Sequence, residues 1–93
     1  MWTVQLHRDV SKGMRKLPEP VRRALTVWIG IAETEGPAGL RALRGFNDEA
    51  LKGVWKGCRS SRLNKQYRVI YRVEREIVNI LVMDVTAHDY RRK

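Results

Sequence analysis

Residues 66–74 read QYRVIYRVE, and the fold turns on how this run divides between two faces. Alternation puts Tyr67, Val69, Tyr71 and Val73 on one side of an extended chain and Arg68, Ile70 and Arg72 on the other. Such a strand packs its aromatic and β-branched side on a core and shows arginine on the opposite face. Residues 55–63 and 77–85 flank it as two more runs rich in β-branched or aromatic residues, separated from it by Asn64-Lys65 and by Arg75-Glu76. Connections of about two residues force antiparallel neighbours, so the three runs form a meander. The last run is apolar at both parities, which predicts a strand covered on both sides.

Upstream, Trp2, Val4 and Leu6 alternate with Thr3 and Gln5, the period of a half-buried first strand. From Asp9, the expected N-cap, Val10, Met14 and Leu17 recur at helical spacing until Pro18 and Pro20 interrupt them. A second helix follows, with Val21, Ala24, Leu25, Trp28, Ile31 and Ala32 on one stripe, and Gly36-Pro37 ends it. Trp28, Met14 and Leu17 are read as core. Residues 36–50 are a loop with at most one short helical turn near 37–43. The prediction is one α+β domain over residues 1–93, with a strand, two helices and a three-stranded meander completing a four-stranded sheet. His7 is read as surface.

The net charge is +9, from 19 Lys and Arg against 10 Asp and Glu. Between Ala50 and Val73 stand seven cations (Lys52, Lys56, Arg59, Arg62, Lys65, Arg68 and Arg72) and no acid. Like charges this dense repel one another, and a polyanionic ligand such as nucleic acid is the usual compensation. A membrane surface fits less well, because the basic run is strand-like rather than an amphipathic helix. No run approaches the roughly 18 apolar residues of a membrane span, and the start lacks the apolar segment of a signal peptide, so a cytoplasmic location is the default expectation. One cysteine, Cys58, and two histidines, His7 and His88, suggest neither a disulfide nor a metal site, and no cofactor is implied.

Leu51-Lys52-Gly53, Arg59-Ser60-Ser61-Arg62-Leu63, Tyr67-Arg68-Val69-Ile70-Tyr71 and a terminal His88-Asp89-Tyr90 follow one another along this order of elements. The pattern resembles the RelE/ParE superfamily of toxin–antitoxin toxins, which have a microbial-RNase-like fold. The nearer likeness is to the ribosome-dependent, YoeB-like endoribonucleases. The resemblance implies Glu49 as general base, Arg62 and Arg68 as phosphate clamp, His88 as general acid, and Tyr90 as the residue orienting or stacking on RNA. Asp89 stands between His88 and Tyr90, a departure from that branch. Lys52, Lys56, Arg59, Lys65, Arg72 and Arg91 would be RNA-binding cations.

The implied activity is metal-independent cleavage of mRNA in the ribosomal A site, and the implied partners are mRNA, the ribosome and a cognate antitoxin. Cleavage of this kind needs a base for the 2′-hydroxyl, cations for the phosphorane and an acid for the leaving 5′-oxygen. The rival functions are a ParE-like toxin that binds gyrase without cutting RNA, and a basic binding module without nuclease activity. Some of these residues have plainer readings as well, His88 as a structural histidine at a strand end among them. Glu49 could be a solvated loop acid, Arg68 could pair with Asp84, and Trp55 could be core rather than a stacking platform.

Overall fold

The structure, a computed structural model, describes residues 1–87. His88, Tyr90 and Arg91 lie outside the described residues. Strand β1 (Thr3–Leu6) is followed by helix α1 (Arg8–Gly13), helix α2 (Glu19–Ala42), and strands β2 (Glu49–Ala50), β3 (Arg59–Arg62), β4 (Arg68–Glu74) and β5 (Asn79–Thr86). The strands form one mixed sheet in the order β1-β5-β4-β3-β2. β1 runs parallel to β5, and the other pairs are antiparallel. The expected α+β architecture is present, with five strands rather than four; the addition is the two-residue edge strand β2.

Two local readings change, at the cap of α1 and at the start of β3, while the helical turn expected near residues 37–43 is present. Helix α1 is capped by His7 rather than Asp9: the His7 ring nitrogen accepts from the Asp9 amide at 3.1 Å. The His7 amide still bonds to Val82 O at 2.9 Å, so the helix starts directly off the end of β1 and the cap falls two residues earlier than expected. Met14–Lys16 then tightens into a single 3₁₀ turn. Helix α2 ends its first segment at Gly36 as expected but resumes for one short stretch to Ala42. Gly36 has φ 69 and ψ −167, a region open almost only to glycine, and the Trp2 ring lies where a Cβ would project. Strand β3 begins at Arg59 rather than at residue 55, because Gly53–Trp55 forms a 3₁₀ turn with Gly53 at φ 66.

The α2 stripe packs on one face of the sheet. Leu25, Trp28, Ala32 and Leu40 meet Val69, Tyr71, Ile80 and Val82 in one buried cluster, and Trp28 lies edge-on to Tyr71 with centroids 5.3 Å apart. Each fully buried aliphatic or aromatic side chain contributes roughly 1.5–3 kcal/mol, so this layer dominates stability. The opposite face is covered over part of its area by the loop after β2, where Leu51, Cys58 and Ile70 are buried together and Trp55 and Met83 pack against them.

Strand β5 is irregular at one point. Ile70 pairs with Asp84, but Tyr71 pairs with Val82, so Met83 is an extra residue in a β-bulge. Before the bulge Ile80 and Val82 face the helices; after it Val85 does, and Asp84 and Thr86 are turned to the open face opposite Ile70 and Arg68. Ile77 and Val78 precede the strand in an exposed turn.

Candidate functional site

The β2–β3–β4 pairing sets the site. Glu49 stands opposite Ser60, Ser60 opposite Ile70, and Arg62 opposite Arg68, so Glu49, Ser60, Arg62 and Arg68 share the open face. Arg68 is only 6% exposed. Its Nε donates to Ser60 Oγ at 3.0 Å, and its Nη2 donates to the Asn47 carbonyl at 3.2 Å and to Glu49 Oε2 at 3.4 Å. Asn47 presents that carbonyl from a left-handed conformation, φ 44 and ψ 50, which asparagine tolerates better than most side chains. The guanidinium is thus held from three directions, and one of these partners is an acid, Glu49, from the edge strand.

The residue before Glu49 was given no role from the sequence, yet it fastens this loop. The Asp48 side chain has no exposed area. Its carboxylate accepts from Arg59 Nε at 2.7 Å, from Ser61 Oγ at 2.6 Å and from the Tyr71 hydroxyl at 2.6 Å. These donors come from β3 and β4 on the helix-facing side. Consecutive residues 48 and 49 therefore reach opposite faces: Asp48 pins the loop from behind and Glu49 meets Arg68 in front. Burial works against the charge on Arg59, but its hydrogen bond to Asp48 and the charge of Asp48 outweigh it and hold the pKa above the ordinary arginine value.

Burial, reinforced by the hydrogen bond to Asp48 and its charge, pushes the Tyr71 hydroxyl well above an ordinary tyrosine. The unfolded chain therefore releases this proton first. The stabilisation is complete below the unfolded value of about 10 and falls as pH rises above it toward the folded value. The melting temperature is expected to drop from pH 10 to 11, and in Tyr71→Phe the drop should be shallower. Parallel alkaline limbs in the two proteins would count against a raised Tyr71.

The basic stretch is less bare than its sequence. Arg59 pairs with Asp48, Arg68 with Glu49, and Arg72 with Glu74 at 3.4 Å, all three acids lying just outside residues 50–73. Arg72 is on the open face with Arg68, whereas Arg59, expected as an RNA-binding cation, points to the helix side and is tied into the fold. Among the described residues Lys52, Lys56, Arg62 and Lys65 form no ion pair. Lys52, Lys56 and Lys65 stand exposed on loops, the last in a turn closed by Asn64 Oδ1 accepting from the Gln66 and Tyr67 amides. Cys58 is buried beside Leu51 and Ile70, and this burial pushes its thiol up, away from the thiolate form. Among the described residues no group of three or more His, Cys, Asp or Glu could hold a metal ion, and no helix is long and apolar enough to cross a membrane.

The sequence missed Asp48, Asn47 and Ser60. The adjacent Asn-Asp marked a turn, but nothing in the residue order says that the Asp turns inward.

No protein-family model matches the chain, and no curated protein sequence does. Solved structures do. The archaeal RelE–RelB complex from Pyrococcus horikoshii OT3 is similar with a TM-score of 0.72 at 26% identity, over 92% of this chain and 93% of the matched one. The RelBE2 toxin–antitoxin complex from Mycobacterium tuberculosis matches at 0.70 and 22% identity, over 94% and 98%. The YoeB–YefM complex from Staphylococcus aureus matches at 0.72 and 15% identity, over 96% and 99%. The chain has the RelE/YoeB-like toxin fold.

Proposed function

We propose that this protein is the toxin of a type II toxin–antitoxin pair and an endoribonuclease that cuts mRNA in the ribosomal A site without a metal. The observation that carries the reading is the Glu49 carboxylate 3.4 Å from a buried, fixed Arg68 guanidinium, with Arg62 directly opposite Arg68 on the same open face. Arginine suits a phosphate clamp because its planar fork can hold two oxygens at once and stays charged. In this reading Glu49 takes the 2′-hydroxyl proton. The 2′-oxygen attacks phosphorus, Arg62 and Arg68 stabilise the charge gathering on the phosphorane, and His88 protonates the departing 5′-oxygen. Tyr90 orients the RNA, and Lys52, Lys56, Lys65, Arg72 and Arg91 grip its backbone. So few groups align a phosphodiester well only if the ribosome holds the message bent, so free RNA is a poor substrate. The antitoxin is a second protein whose binding silences the site.

Primer extension on translated mRNA tests this. The parent is expected to produce discrete 5′ ends, and Glu49→Gln and His88→Gln should each lose them together with growth arrest. Growth arrest that persists in both variants without cleavage would instead belong to a toxin that binds its target, as the ParE-like alternative requires.

A further inference from the structure

On the helix side of the sheet, away from Glu49 and Arg68, lies a cavity of about 250 Å³ whose lining includes Arg41, Arg59 and Arg75. Arg41 comes from the last turn of α2, Arg59 from β3, and Arg75 from the turn between β4 and β5. Ala50, Cys58 and Val73 complete most of its wall, and among the described residues no acid lines it. Three cations converging from three elements repel one another, and nothing in the core requires Arg41 or Arg75 there, since both are exposed. Asp48 neutralises Arg59 through Nε, and among the described residues Arg41 and Arg75 form no ion pair.

We infer that this cavity is a docking site for an acidic side chain of a polypeptide partner, a glutamate or aspartate carried on an extended or helical segment. Two features favour a carboxylate on a peptide over an RNA phosphate. The cavity wall is part apolar, which suits the methylene stem of a glutamate, whereas a phosphodiester has no apolar stem to bury. It also opens on the face opposite the proposed cleavage site, so an occupant here leaves the Arg62–Arg68 face clear. The inference does not depend on the nuclease reading, because it concerns a different surface and is tested by binding alone.

The test is a titration of the isotopically labelled full chain, followed by backbone amide resonances. Three probes are used separately: an acetylated hexapeptide of alternating glutamate and alanine, hexauridylate, and inorganic phosphate. The peptide is expected to shift Gly57, Cys58, Arg59 and Arg75 saturably. The double substitution Arg41→Glu with Arg75→Glu should weaken this by at least about tenfold while leaving the far-UV circular dichroism unchanged. Peptide shifts that survive the double substitution, or no shifts at these residues, would overturn the proposal. So would hexauridylate or phosphate saturating the same resonances more tightly than the peptide, the first pointing to RNA and the second to a small-anion site. If the pair of exposed glutamates disturbs the fold, Arg41→Ser with Arg75→Ser removes the charges without reversing them and is read the same way.

Discussion

Asp48→Ala is expected to lower the unfolding free energy by about 3 kcal/mol, the lower end of the cost of breaking a buried charge pair. The lower end applies because the side chain of its cation, Arg59, keeps 26% exposure and can be rehydrated, while Ser61 and Tyr71 are buried and lose an acceptor outright. For a domain of this size that is a fall of about 15 °C in melting temperature. Asp48→Asn keeps the shape and one acceptor oxygen but turns an amide toward donors, so it should fall between the two. Thermal melts by circular dichroism check this, and an Asp48→Ala protein melting within about 3 °C of the parent would show that the carboxylate is not what holds the loop. A second readout follows from the geometry. Asp48 is covalently next to Glu49, so loosening it should also reduce cleavage at temperatures where the variant is still folded.

Arg68→Lys is the second large effect, and here the loss is in activity. Lysine keeps the positive charge but has no fork, so it cannot hold Ser60, Asn47 and Glu49 at once while offering two donors to a phosphate. Cleavage of translated mRNA is expected to fall by about 10²–10³, the cost of losing one aimed donor to a developing oxyanion. The melting temperature separates this from simple unfolding, because the variant must be assayed well below its own transition. Arg72→Lys is the control. It lies on the same face, but its side chain is 47% exposed and it works as a general cation, so only a few-fold change is expected. Equal losses in both variants would mean that charge alone, not guanidinium geometry, is at work.

Much of the fold is legible in the residue order because its signals are local. The α2 stripe, the Gly36-Pro37 break and the alternation of β4 each depend on a few neighbouring side chains, and short connections dictate antiparallel pairing. The apolar residues at both parities of β5 match a strand whose Ile80 and Val82 meet the helices and whose Met83 packs on the other face, whereas the bulge at Met83 left no signal in the residue order. Two-residue β2 is too short to carry a period, so pairing with β3 had to reveal it. For the site, the sequence marked Glu49, Arg62 and Arg68 through resemblance, and the sheet register brings these three to one face.

Charge is where the two levels part. By itself the sequence determined an α+β domain with excess positive charge and a run of seven cations without an internal acid. Only the tertiary structure decided which of those cations are already used. Asp48, Glu49 and Glu74 lie just outside the run in sequence but against Arg59, Arg68 and Arg72 in space, and Arg41 and Arg75 gather with Arg59 although they are far apart along the chain. Electrostatic energy depends on distance and burial, neither of which a residue order states. A carboxylate such as Asp48 looks like any loop acid until the fold buries it against three donors.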